Sequence, residues 1–203
     1  MPEHIQRSMK RLIEITCAAV SLLLLSPILF VISFLVRSDS PGPIIYRRRV
    51  VGLHGQEFDA FKFRTMVINA DEILHQNPDL WAEYQKNIKL KNDPRVTPVG
   101  QWLRRLSLDE LPQLVNVLRG EMSLVGPRMV TSDELAKYGE FATQRLTVRP
   151  GITGLWQVSG RQDVSYSARI LLDKEYINNW SLLLDLKILF RTIPAVLSMK
   201  GAH

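Results

Sequence analysis

Asp109 and Glu110 are adjacent carboxylates in the run Arg104-Arg105-Leu106-Ser107-Leu108-Asp109-Glu110-Leu111-Pro112-Gln113, with two fixed cations just upstream. Carboxylates in such company can ligate a divalent cation through hard oxygen donors or attack phosphorus, while the guanidinium groups neutralise phosphate oxygens that would repel an anionic nucleophile. The same residues also fit a helix start. Ser107 and Glu110 match the S-x-x-E capping box, Asp109 is itself a good N-cap, and Pro112 is tolerated in a first helical turn. The two roles are compatible, because a helix N-terminus favours negative charge and helps keep Asp109 ionised. The helix is expected to run through Leu114, Val115, Val117 and Leu118 and to stop at Gly120.

Arg104 and three other segments place cations where phosphate could be met. Over Phe58 to Met66 a strand would put Lys62 and Arg64 on one face and Phe61 and Phe63 on the other, forming a two-pronged basic site; a solvated edge strand protected by its charges has the same pattern. Arg104 precedes the carboxylates, Arg128 follows Gly126-Pro127 in a loop, and Arg149 opens the rigid turn Arg149-Pro150-Gly151-Ile152-Thr153-Gly154.

The elements that position these groups begin with a membrane-seeking segment. Ile15 to Val36 contains no charged residue, enough to cross a hydrocarbon core of roughly 30 Å as a straight helix. It is too long for a signal-peptide core, and no small-residue cleavage site follows it. Pro27 lacks an amide hydrogen and interrupts the helix near its middle, with Ser26 placed to satisfy a freed backbone group. Arg7, Lys10 and Arg11 precede the segment, and Arg37, Arg47, Arg48 and Arg49 follow it, so both flanks prefer the cytoplasm. A re-entrant hairpin broken at Ser26-Pro27 satisfies both features; a kinked single span is the alternative. Residues 1–37 therefore read as a membrane segment with basic flanks and 38–203 as a catalytic domain.

That domain shows one strand over Ile44 to Val51, a turn at Gly52 to Gly55, and the strand carrying Lys62. Two helices follow, Asn69 to Gln76 and Asn77 to Leu90, separated by the N-cap and proline of Asn77-Pro78. Asp93 to Pro98 is turn-rich, Ser123 to Arg128 reads as a loop, and Thr131-Ser132-Asp133-Glu134 caps a helix expected to reach about Arg145. A helix is expected from about Asp163 to Trp180. Leu182 to Leu197, apolar but carrying Asp185, Lys187 and Arg191, suits either the membrane surface or the domain core.

The chain has 203 residues, 46% hydrophobic, which excludes a disordered chain, and its net charge of +6 calls for an anionic partner: nucleic acid, anionic lipid or a phosphorylated small molecule. One cysteine, Cys17, excludes a disulfide framework and a cysteine-rich zinc site. No P-loop, dinucleotide fingerprint, His-Glu-x-x-His or Ser-His-Asp signature occurs, and the four histidines are scattered.

Taken in order, Lys10-Arg11, Ser26-Pro27, Ser40-Pro41-Gly42-Pro43, Lys62 to Met66, Asn92 to Thr97, Ser107 to Gln113, Gly120 to Arg128 and Arg149 to Gln157 resemble the bacterial monotopic phosphoglycosyl transferases along nearly the whole chain. The resemblance implies a mainly α fold with a small β element, in which a re-entrant membrane helix joins a cytosolic catalytic domain with surface-lying amphipathic helices. It implies transfer of a sugar-1-phosphate from a uridine diphosphate sugar to polyprenyl (undecaprenyl) phosphate, releasing uridine monophosphate, at the cytoplasmic face of the bacterial inner membrane in glycoconjugate assembly. Phospholipid membrane and the two substrates are the expected partners, nucleic acid is not, and oligomerisation is left open.

Magnesium dependence is implied too. By carry-over Asp109 is the nucleophile that forms a covalent aspartyl phosphosugar, and Glu110 is its partner in metal binding or proton handling. Lys62, Arg64, Arg104, Arg128 and Arg149 are assigned to phosphate or nucleotide contacts. Asp133 to Gly139 and Leu155 to Arg161 look closest to the galactose or glucose branch. Glu14 stands where aspartate is commoner, and Met129 where proline is usual, which puts the stiffness of the loop after Arg128 in question. A membrane-tethered metal-dependent phosphatase and a basic, non-enzymatic membrane adaptor are the rival functions.

Overall fold

A computed structural model describes residues 3–87, 90, 93–160 and 164–197. Helix α1 spans Glu3–Asp39, 37 residues or about 56 Å, and contains Pro27. The helical backbone continues through the proline rather than breaking there. Pro27 leaves the Leu23 carbonyl without its usual donor four residues on, and the Ser26 hydroxyl donates to that same carbonyl at 2.8 Å. Side-chain compensation thus keeps the helix intact.

One stripe of α1 packs against the rest of the chain on both sides of Pro27. Ala18 joins a core with Val50, Phe58, Ala60, Leu114 and Val117, while Ile32 and Val36 join another with Phe63 and Leu103. The opposite stripe stays apolar and exposed: Leu23, Leu24, Phe30 and Phe34 lie between 67% and 76% accessible. Of the most apolar 18-residue stretch only 11% is buried, so this is not the core helix of a water-soluble fold.

Strands β1 (Ile45–Val51) and β2 (Glu57–Phe63) form an antiparallel hairpin, with Tyr46 opposite Lys62 and Arg48 opposite Ala60. His54 and Gly55 take positive φ values of 56° and 79° in the connection. Helices α2 (Ala70–Gln76) and α3 (Pro78–Asn87) follow as expected, and α4 (Pro98–Arg105) begins on a Thr97 cap whose hydroxyl accepts from the Gly100 amide. A β-carbon on Gly100 would lie 2.2 Å from the Thr65 carbonyl oxygen, so only glycine lets α4 approach the end of β2 this closely.

Helix α5 (Gln113–Arg119) ends on Gly120 in the left-handed conformation, φ 82°, as the sequence signals. The segment read as a loop holds β3 (Ser123–Val125), which pairs in parallel with β4 (Gly151–Thr153). Three residues are too few to show strand periodicity, and the partner lies far away in sequence. The Thr131–Glu134 capping box forms, but α6 (Ser132–Ala136) stops early; a 3₁₀ turn at Gly139–Phe141, with Gly139 at φ 55°, separates it from α7 (Ala142–Arg145).

Helices α8 (Leu155–Val158), α9 (Tyr166–Asn178) and α10 (Leu182–Leu197) complete the chain. The expected start of α9 at Asp163, and Asn92 and Arg161 of the sequence motifs, lie outside the described residues. Helix α10 is buried on one face and apolar but exposed on the other. Asp185 and Ile188 are buried, while Leu183, Phe190, Ile193 and Leu197 form an exposed apolar stripe.

Candidate active site

The carboxylate pair sits in a 3₁₀ turn, Leu108–Glu110, between α4 and α5. Ser107 has φ 56° and ψ 22°, a left-handed conformation uncommon outside glycine, and makes no side-chain cap. The expected capping box at Ser107 is therefore not formed. An N-cap needs extended backbone, whereas the left-handed residue reverses the chain sharply after α4 and carries Asp109 and Glu110 inward.

Asn116 fixes this turn against the hairpin. Its amide nitrogen donates to the Asp59 carbonyl at 2.8 Å, and its oxygen accepts from the Phe61 amide at 3.0 Å. This fully buried side chain bonds the edge of β2 as a further strand would, setting Lys62 beside the carboxylates. Lys62 Nζ lies 2.7 Å from Glu110 Oε1 and 3.7 Å from Asp109 Oδ2. Arg128 Nη2 reaches the same Glu110 oxygen at 2.9 Å. Arg104 bonds Thr65 through Nε at 2.8 Å, and its charge acts on Asp109.

Burial pushes both carboxyls towards their neutral forms, and the cations decide differently for each. Glu110 is buried, but Arg128 and Lys62 more than offset this and hold it down to about 2. Asp109 is raised by burial, with Lys62 opposing and the Glu110 charge adding to the rise. One carboxylate is thus held as an anion, and the other is buried and poorly solvated.

Asp109, Glu110, Lys62, Arg104 and Arg128 line one cavity of about 2040 Å³. Arg64 lies at the same rim but its guanidinium is committed elsewhere. It donates to Pro41 O at 2.7 Å, Ser40 O at 2.6 Å and Val36 O at 3.2 Å, closing the C-terminus of α1. The two-pronged site is not built, because the open carbonyls at the end of α1 draw the Arg64 guanidinium away although its backbone still pairs with Ile44. Arg149 also leaves the cluster: its Nε donates to Gly120 O at 2.7 Å, at the C-terminus of α5, where a cation meets the negative end of the helix dipole.

Arg169 was not identified from the sequence. It packs over the Trp156 ring at 4.6 Å, opposite in origin to Arg128 at 5.8 Å, and both line the cavity. Helical spacing marks Arg169 only as one more charge in α9, so no local signal distinguishes it. Met129, the departure that questioned loop stiffness, is buried among Val50, Phe58 and Leu114 and anchors that loop. Glu14 accepts hydrogen bonds from Ser123 Oγ and, at 3.1 Å, the Leu124 amide, tying α1 to β3.

Among the described residues no group of three or more His, Cys, Asp or Glu side chains converges. The paired carboxylates still fit magnesium, which keeps several waters and is commonly bound by one or two protein carboxylates together with substrate phosphates. Phosphate chemistry at a hard-oxygen site flanked by cations is what this arrangement can perform.

Comparison with known proteins agrees with that chemistry. A family profile described as bacterial sugar transferase matches residues 5–199. The exopolysaccharide production protein ExoY of Rhizobium meliloti is 51% identical over 96% of this chain and 88% of its own length. The undecaprenyl-phosphate galactose phosphotransferase of Salmonella typhimurium is 48% identical over 97% of this chain and 42% of its own. The undecaprenyl-phosphate glucose phosphotransferase of Komagataeibacter xylinus is 40% identical over 95% and 36%, respectively.

Proposed function

The chain belongs to the bacterial sugar transferase family, and from that premise we propose that it moves a hexose-1-phosphate, galactose or glucose, from a uridine diphosphate sugar to polyprenyl phosphate. The observation that carries this is the unequal pair: Glu110 is pinned by Lys62 and Arg128, while the buried Asp109 stands beside it on the wall of an open cavity. The names of the Salmonella and Komagataeibacter relatives support a hexose and an undecaprenyl phosphate acceptor.

In the first step an Asp109 oxygen attacks the sugar-bearing phosphorus, and the bond from that phosphorus to the bridging oxygen breaks. Uridine monophosphate departs with the electron pair, leaving an aspartyl phosphosugar. In the second, a polyprenyl phosphate oxygen attacks the same phosphorus and expels the Asp109 carboxylate. Lys62, Arg104 and Arg128 offset the repulsion between the carboxylate and the diphosphate and stabilise charge on the leaving phosphate. Asp109 and Glu110 would hold magnesium, which when bound supplies further neutralisation of phosphate charge.

The membrane supplies the acceptor, and α1 meets it in a particular way. Its N-terminal end docks through Lys10 on Asp185 at 2.6 Å and Arg11 on Val117 O at 2.7 Å; its C-terminal end docks through the Arg64 cap. Both ends touch one domain, which supports both flanks lying on the cytoplasmic side with the exposed stripe in lipid. The stripe on α10 would rest at the same surface.

Purified protein in detergent, given a panel of uridine diphosphate sugars, magnesium and polyprenyl phosphate, tests the reaction. Lipid-linked hexose should form with galactose or glucose donors, and without lipid uridine monophosphate should be released as phosphosugar accumulates on Asp109. Asp109→Asn should lower turnover by about 10³-fold or more. Turnover of only acetamido sugars would refute the hexose assignment, and robust Asp109→Asn activity would refute the covalent step.

A further inference from the structure

Behind the loop that presents Arg128 lies a charge cluster that the transfer chemistry does not touch. Arg145 is fully buried, and its Nη2 donates to Arg128 O at 2.8 Å and to Pro127 O at 3.4 Å. Asp173 of α9 is 1% exposed and accepts from the Tyr138 hydroxyl at 2.9 Å. The Asp173 charge also acts on Arg145. Burial pushes the Asp173 carboxyl up to about 6 against the pull of Arg145.

The cluster is poorly arranged for stability alone. Arg145 Nε and Nη1 and Asp173 Oδ1 are buried without hydrogen-bond partners among the described residues. Buried ion clusters with orphaned atoms are often matched or bettered by apolar side chains of similar size. The loop is also tied independently of Arg145: Gly151 N donates to Pro127 O at 2.8 Å, and Val51 N to Val130 O at 2.9 Å. Arg128 itself also bridges Gly151 in parallel, and what Arg145 adds is a hydrogen bond to the Arg128 carbonyl.

Resting on the proposed function, we propose that Arg145, backed by Asp173 and Tyr138, is a positioning residue that aims Arg128 at the phosphate groups of the donor. Arg145 reaches no substrate; it fixes the carbonyl from which the Arg128 side chain projects, and Arg128 divides its charge between Glu110 and the incoming phosphate. Loss of the restraint leaves the charge in place but spreads its directions, which weakens a contact dependent on geometry.

A double-mutant cycle tests this through binding of uridine diphosphate measured by calorimetry, with turnover and thermal unfolding followed separately. Arg145→Met should weaken binding by about tenfold in the wild-type background and by less than about twofold in an Arg128→Lys background. The double variant Arg145→Met/Asp173→Leu, which leaves no unpaired buried charge, should unfold at close to the wild-type temperature yet show the same weakened binding. Equal losses in both backgrounds, or wild-type binding by the apolar double variant, would overturn the inference. So would a wild-type protein that does not bind uridine diphosphate. Wild-type protein that binds it but makes no lipid-linked sugar would instead sink the proposed function, leaving the cycle to decide the role of Arg145.

Discussion

Burial raises the Asp109 carboxyl, and Lys62 is the main charge that lowers it. In the proposed reaction the ionised form is the nucleophile, so activity should be present above the folded pKa and be lost as pH falls through it. In kcat/KM, which reports groups of the free enzyme, the acid limb should therefore lie above the range of an exposed aspartate. Lys62→Met removes the opposing cation, and the acid limb should then move to higher pH, with lower activity throughout. A limb that stays fixed or moves down would mean that Asp109 is not the titrating group. Glu110 differs from its neighbour above all in what it touches. Two cations at 2.7 and 2.9 Å keep it charged, while Asp109 has its nearest cation at 3.7 Å.

Helix α1 carries the information about the membrane. Its buried positions 14, 18, 32 and 36 lie on one stripe, and its ends bond to α10, α5 and the segment after β2. A straight crossing would carry one end away from these partners and expose Glu14, Arg64 and the α5 C-terminus. Single cysteines at Ser8 and Ser38, in a Cys17-free background, should both resist an impermeant thiol reagent in intact spheroplasts and both react after lysis. Labelling of one alone in intact cells would establish a crossing. Replacing Ser26 and Pro27 by alanine and leucine restores the Leu23 carbonyl to an ordinary helical bond, and should shift part of the population to that crossing.

The division of the chain at residue 37 meets a fold in which α1 shares two of the core clusters with the catalytic elements. Ile32 and Val36 are 1% and 2% exposed, and each contributes about 1.5–3 kcal/mol by burial. Ala18 fills a second site between the hairpin and α5. A chain beginning at Asp39 should therefore lose cooperative unfolding and aggregate even in detergent. If it stayed folded and bound uridine diphosphate normally, α1 would be a detachable anchor. The net charge of +6 and the exposed stripes of α1 and α10 agree in suiting the molecule to an anionic, apolar-cored surface.

By itself the sequence determined the features whose causes lie within a few residues. These are the hairpin, α2 and α3 divided at Asn77-Pro78, the stop at Gly120, the Thr131–Glu134 cap, and the carboxylate pair among cations. The family motifs added the reaction class. Tertiary structure alone decided which cations face the carboxylates. Lys62 and Arg64 have the same strand phase, yet the open carbonyls at the end of α1 draw Arg64 away. It also decided that Ser107 turns left-handed instead of capping, that Asn116 stitches α5 to β2, that Arg145 bonds the Arg128 carbonyl, and that Arg169 packs over Trp156. Each of these depends on an unsatisfied backbone group or a charge brought close by packing, and sequence spacing holds no record of that proximity.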